Sequence, residues 1–293
     1  MHLGLVGLGK MGGNMRTRLR NAGHTVIGYD FNPDISDVSS LGDMVAQLPS
    51  PKVVWVMVPA GEPTRGTIHQ LYELLGEGDL VVDGGNSKYT DDAENAAFLA
   101  QKGIGFVDCG VSGGVWGLQN GYALMYGGSD EDIAKIKPAF DALKPQGTED
   151  GSVHCGQKPG AGHFAKMVHN GIEYAMMQAY AEGWELLDKV DLVENVPEIF
   201  ASWRTGTVVR SWLLDLLVDE LRADEHLDNL RGYAEDSGEG RWTLEAAIEN
   251  AVPMNAIAAS LFARFVSRQP DSPAMKAVAA MRHGFGGHAV KSE

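Results

Sequence analysis

Short apolar runs alternate with amphipathic stretches through the first half of the chain. Leu3–Val6, Thr25–Tyr29, Val53–Val58, Leu80–Val82 and Gly105–Val107 have the length and apolar density of buried strands. Between them, Met11–Ala22, Pro63–Leu75, Asp91–Gln101 and Glu131–Leu143 carry helical patterns. The punctuation agrees: Gly23, Gly76 and Gly103 follow helices as C-caps, and Ser129 with Asp132 reads as a capping box. Alternating strand–helix units predict a doubly wound parallel sheet over residues 1–160. From about Gly162 onward the pattern becomes helical, with helices expected over His163–Leu187, Val196–Arg204, Ser211–Ala223 and Leu244–Arg268, and a short one over Pro273–Arg282. Residues 161–293 are therefore expected to form an all-α domain, the boundary falling near Lys158–Gly160.

The first strand runs into Gly7-Leu8-Gly9-Lys10-Met11-Gly12, a G-x-G-x-x-G pattern that alone is weak evidence. Its place between a strand and a helix, with Asp30 ending the next strand 18 residues past Gly12, makes it a Rossmann-type dinucleotide fingerprint. Glycines allow the tight turn and let a pyrophosphate reach the free N–H groups of a helix start. Asp30 is positioned to accept hydrogen bonds from ribose hydroxyls and to repel a 2′-phosphate. Phe31-Asn32-Pro33 supplies no arginine for such a phosphate, so NAD is expected over NADP. The competing reading of Asp30 is a turn starter before Asn32-Pro33.

A second feature lies at the head of the helical half. Lys166, His169, Asn170, Glu173 and Tyr174 recur at i, i+3, i+4, i+7 and i+8, which places them on one face of a helix whose other positions are largely apolar. Such a stripe is either a solvated face or a site holding a base and an acid over one small substrate. His, Asn and Tyr are mediocre helix formers, and Gly160, Gly162 and Gly171 permit close approach, which favours the site.

Charge narrows the partners. The 24 basic and 39 acidic residues give a net charge of −15, which disfavours nucleic acid and anionic membranes and requires a local basic cluster for any anionic substrate. Cys109 and Cys155 lack CxxC or zinc-ligand spacing, so no structural metal or disulfide framework is expected, and reduced thiols fit the cytoplasm. The N-terminal segment lacks the features of a signal peptide, and no apolar stretch reaches membrane-spanning length.

Further segments, Asp83-Gly84-Gly85-Asn86-Ser87, Gly110-Val111-Ser112-Gly113-Gly114 and Arg282-His283-Gly284-Phe285-Gly286-Gly287-His288, join the fingerprint and the stripe. Together they resemble the 6-phosphogluconate dehydrogenase family over nearly the whole chain, and Lys166–Tyr174 is the most specific stretch. The resemblance implies oxidative decarboxylation of 6-phosphogluconate to ribulose 5-phosphate and carbon dioxide with NAD. It implies Lys166 as base and acid and Glu173 as the acid that protonates the carbon left by carbon dioxide. Asn86, His169 and Asn170 are implied for substrate hydroxyls, Ser112, Gly113 and Gly114 for its carboxylate, and Tyr174 and Arg264 for its phosphate. Arg282 and His288 are implied to complete a neighbouring subunit's site, hence a dimer or homotetramer. The implied cofactor contacts are Gly7, Leu8, Gly9, Met11, Gly12, Asp30, Val58, Pro59, Ala60 and Asn86.

There are departures. The chain has room for one copy of a helical domain that longer members duplicate, as in the short members that often prefer NAD. Ser237 and Glu239 stand where longer members carry a phosphate-binding lysine and threonine, and Arg241 is the candidate replacement. Pro59 stands where they usually have lysine. By spacing alone Arg264, Arg282 and His288 read as surface charge and tail, and only the resemblance gives them a role. The rival readings are a β-hydroxyacid dehydrogenase for a short unphosphorylated acid and a non-catalytic NAD-binding sensor.

Overall fold

The computed structural model describes residues 1–291. The chain divides into two compact units, Met1–His169 and the residues from Asn170 onward. The first unit runs β1 (His2–Val6), α1 (Lys10–Asn21), β2 (Thr25–Tyr29), α2 (Leu41–Ala46), β3 (Val53–Val56), α3 (Glu62–Leu74), β4 (Leu80–Asp83), α4 (Tyr89–Ala100) and β5 (Gly105–Ser112). A 3₁₀ turn (Gly114–Trp116), α5 (Gly117–Asn120), β6 (Ala123–Gly127), α6 (Asp130–Leu143) and β7 (Ser152–Gly156) follow. The seven strands form one sheet in the order β2-β1-β3-β4-β5-β6-β7.

Every residue of β3 and β4 is buried, as expected of strands covered on both faces. The two-residue period sends Leu3, Leu5, Trp55 and Val82 into one core with Phe140 of α6, and Val6, Val54, Val56 and Val81 into the other with Phe106. The sheet departs from the all-parallel expectation at one place: β6 runs antiparallel to β5. Only residues 113–122 connect them, fewer than the dozen or so a parallel crossover needs. Strands β6 and β7 and helix α2 were not expected from the pattern, each being short and only partly apolar.

Arg18, on α1, fastens the end of this unit to its beginning. Its guanidinium donates to the carbonyls of Leu118, Ala142, Leu143 and Lys144, the last turn of α6 among them. Unpaired carbonyls at a helix end favour a cation, so this clamp satisfies groups the helix leaves over.

Helix α7 (Ala161–Lys189) passes from one unit into the other. In the second unit, α8 (Val196–Trp203) and α9 (Trp212–Ala223) enclose Phe200, Leu214 and Val218, with Tyr180, Trp184 and Leu187 of α7 packed against them. The single helix expected over Leu244–Arg268 is instead two, α10 (Glu239–Glu249) and α11 (Asn255–Ser267). Ala251 takes a left-handed φ of 54°, and Pro253 lacks the N–H needed to continue, so the helix ends and restarts. Helix α12 (Pro273–Gly286) closes the fold.

Candidate functional site

A cleft of about 700 Å³ opens at the carboxyl ends of β1 to β5, where open α/β sheets bind ligands. Gly7, Gly9, Met11 and Gly12 line it together with Asp30, Val58, Pro59, Ala60 and Asn86. Gly7 has φ +89°, and a Cβ on Gly12 would lie 1.9 Å from the Gly7 carbonyl oxygen, so α1 starts hard against the loop that feeds it. A Cβ on Gly9 would meet nothing within 4 Å, leaving room for a ligand over the helix start. Asp30 accepts from the Leu8 amide at 2.6 Å through one oxygen and from the Asn32 amide at 2.9 Å through the other. These residues fit a dinucleotide: a glycine cradle, a free helix start and a carboxylate at the ribose position.

Leu8 is not among the residues that line the cleft: its side chain is in the core and its amide donates to Asp30. Sequence reasoning also missed Lys10, Tyr29, Phe31 and Val111, which do line it. Lys10 sits inside the fingerprint and Phe31 directly follows Asp30, so position was the available signal. Gly12→Ala is expected to raise the dissociation constant for NADH at least about tenfold, because the added methyl must push the helix start off the loop. Fluorescence titration checks this; an unchanged constant would mean the loop yields freely.

The first turn of α7 is anchored to the sheet at its base. Asp108 of β5 accepts from the amides of Gly160 and His163, both at 2.8 Å, which caps the helix with a buried carboxylate. A Cβ on Gly162 would lie 2.4 Å from the Met125 carbonyl, and one on Gly110 would lie 2.3 Å from Cβ of Lys166. The helix therefore packs directly onto β5 and β6, and the Lys166 stem lies on Gly110, next to the cleft-lining Val111. Lys166 is 7% exposed, with Nζ 3.4 Å from Nδ1 of His169.

His163, one turn before Lys166, is buried and its Nδ1 is 2.8 Å from Oδ2 of the buried Asp92. Burial alone would push His163 down, but the charge and hydrogen bond of Asp92, with Asp83 and Asp108 behind, raise it to about 10. Burial raises Asp92 to about 7 against the pull of His163. Three carboxylates around one imidazole favour the protonated ring. Among the described residues, Asp83, Asp92 and His163 also form a group close enough to share a metal ion. Asp83 also accepts from the Gly85 amide and the Ser87 hydroxyl, and His163 pairs with Asp92.

Within the second unit, Asn170 and Tyr174 of α7 are buried and Glu173 is half-buried. Arg264 of α11 sits over the Tyr174 ring, its guanidinium carbon 3.5 Å from the centroid, and donates to the Glu235 carbonyl. The sequence reading thus brought together Tyr174 and Arg264. Ser237 and Glu239, singled out in the sequence at the phosphate position, also meet the stripe: Tyr174 meets the Ser237 hydroxyl at 3.2 Å, and Glu239 accepts from Asn170 Nδ2 at 3.1 Å. Arg241, the candidate phosphate ligand, pairs with Asp236, which also holds Arg268. Hydrogen bonding by Arg241, reinforced by Arg268, holds Asp236 down at about 2.

The remaining candidates lie on turns or on exposed positions. Ser112 ends β5, and Gly113 (φ +135°) and Gly114 (φ +54°) turn the chain into the 3₁₀ turn. Exposed Asn86 is on the loop after β4, and His169 is exposed on α7. Arg282, on α12, and His288, beyond it, are exposed; the His288 ring meets its near neighbour Phe285 edge-on. Among the described residues, no helix is long and apolar enough to cross a membrane.

Comparison with known proteins bears on both units. Residues 2–149 match the family model described as the NAD binding domain of 6-phosphogluconate dehydrogenase, and residues 162–291 match that of its C-terminal domain. A putative 6-phosphogluconate dehydrogenase of Bacillus subtilis is 36% identical over the full length of both chains. The NAD(+)-dependent, decarboxylating 6-phosphogluconate dehydrogenase of Haloferax volcanii is 37% identical over 99% of this chain and 98% of that one. The fold is that of Plasmodium falciparum 6-phosphogluconate dehydrogenase, with a TM-score of 0.85 at 23% identity, covering 100% of this chain and 66% of that one. With both halves matched and full-length relatives above a third identical, the chain belongs to the 6-phosphogluconate dehydrogenase family.

Proposed function

We propose that the protein oxidatively decarboxylates 6-phosphogluconate to ribulose 5-phosphate and carbon dioxide, using NAD. One observation carries the reading: α7 holds a buried lysine and a carboxylate seven residues apart, the lysine stem seated on the strand whose end lines the dinucleotide cleft. That separation is about 10.5 Å along a helix axis. Long side chains from both positions converge on a ligand lying between their ends. Held by the Gly7–Gly12 loop and Asp30, NAD would supply the acceptor for the hydride from C3.

The residues divide the remaining work. Lys166, neutral, takes the C3 hydroxyl proton, and the resulting carbonyl lets carbon dioxide leave. Glu173, protonated, delivers a proton to C1 of the enediol. Asn86, His169 and Asn170 hold hydroxyls, the Ser112–Gly114 loop holds the carboxylate, and Tyr174 and Arg264 hold the phosphate.

NAD is preferred over NADP. Asp30 occupies the ribose position, and the nearest arginines on α1 are already paired: Arg16 with Asp37 at 3.1 Å and Arg20 with Asp37 at 2.5 Å. Neither is available to a 2′-phosphate without breaking that pair. The working form is a cytoplasmic homo-oligomer, a tetramer or dimer, in which Arg282 and His288 reach a neighbour's site; the exposed Met281 and Phe285 beside them suit a covered tail.

The test is an assay of the purified protein with 6-phosphogluconate and either NAD or NADP, following reduced cofactor and carbon dioxide together. Equal yields of both products with NAD are expected. Reduced cofactor without carbon dioxide would favour the unphosphorylated-acid reading. In the same assay, Arg264→Ala is expected to raise KM for 6-phosphogluconate about tenfold or more, the loss of one charged hydrogen bond, with little change for gluconate.

A further inference from the structure

Two donors near the phosphate end, Asn170 and Ser237, point toward Glu239. Glu239 opens α10, is 3% exposed, and accepts from Asn170 Nδ2 at 3.1 Å and from the Ser237 hydroxyl at 2.5 Å. An ionised carboxylate only accepts, so the Ser237 proton lies on that bond. Tyr174 Oη accepts from the Ser237 amide at 3.1 Å, and its contact with Ser237 Oγ at 3.2 Å then leaves tyrosine as the donor. Both hydroxyl protons are thus drawn away from an incoming anion. Glu239 also places a built-in negative charge at the start of α10, where an external anion would otherwise be welcome.

We propose that Glu239 is a specificity-determining residue that weakens phosphate binding: it competes with the substrate's phosphate for the protons of Ser237 and Tyr174, leaving Arg264 as its main holder. This rests on the placement of the phosphate at Tyr174 and Arg264 given under Proposed function. Phosphate must turn both hydroxyls outward before it can use them, and it does so beside a like charge. Glu239→Gln isolates the effect. The amide oxygen still accepts from Asn170, while its NH₂ donates to Ser237 Oγ and releases the serine proton outward.

The experiment measures KM and kcat of the full-length protein and of Glu239→Gln with 6-phosphogluconate and with gluconate, and competitive inhibition by inorganic phosphate. The variant is expected to lower both KM for 6-phosphogluconate and the inhibition constant of phosphate about three- to tenfold, leaving gluconate unchanged. Adding Ser237→Ala should cancel most of that gain. A melting temperature near that of the parent shows that the fold is intact. The proposal is overturned if phosphate inhibition is unchanged, or if KM for both acids rises together, which would make Glu239 a support for Asn170 alone. If the parent protein fails to distinguish the two acids and Arg264→Ala changes neither, the phosphate placement itself falls and takes this proposal with it.

Discussion

Lys166→Met is expected to lower kcat for 6-phosphogluconate oxidation about 10²- to 10⁴-fold, the usual contribution of a positioned general base. Methionine keeps the apolar stem that lies on Gly110 and loses only the amine. Lys166 is not among the residues lining the dinucleotide cleft, so the affinity for NADH should hardly move. That split between chemistry and cofactor binding is the diagnostic. Stopped-flow measurement of the first turnover, paired with NADH titration, checks it. Turnover within tenfold of the parent would remove lysine from the proton transfer; a lost cofactor affinity would mean that the helix had shifted.

The second large effect is on stability. His163→Leu strands Asp92, a carboxylate with no exposed surface whose other oxygen, Oδ1, already lacks a hydrogen-bond partner. Leaving one member of a buried pair costs about 3–5 kcal/mol, whereas replacing both with apolar groups is often nearly neutral. Asp92→Leu with His163→Leu should therefore recover most of the loss, which denaturant melts of the single and double variants will show. The pH dependence gives an independent reading. His163 is raised from 6.5 to about 10 on folding, so its contribution is fully present below pH 6.5 and declines as pH rises through about 10. The parent's melting temperature should fall across that window, and the double variant's should fall less. Parallel curves would show that the ring is not held protonated.

The parts legible in the sequence are those written into one local stretch. The glycine fingerprint and Asp30 needed only strand, loop and helix in order, and the stripe from Lys166 to Tyr174 needed only a helical period. What was hidden depends on groups far apart in the chain. Asp108 caps α7 across 52 and 55 residues, and Asp92 meets His163 across 71, which no periodicity reports. Glu239 stood out only as a departure at the phosphate position, and its bond to Asn170, 69 residues away, is visible only in the fold. The break between α10 and α11 had a visible cue in Pro253, overlooked because the apolar period resumes beyond it.

The Arg18 clamp sets an order on biosynthesis. The carbonyls it binds lie 100 to 126 residues downstream, so during translation the fingerprint helix lacks its support until Lys144 has left the ribosome. A nascent chain paused earlier should hold its first strands yet leave that helix easily cut by protease. Competence to retain nucleotide should then arise abruptly, in one step, rather than grow with each added strand.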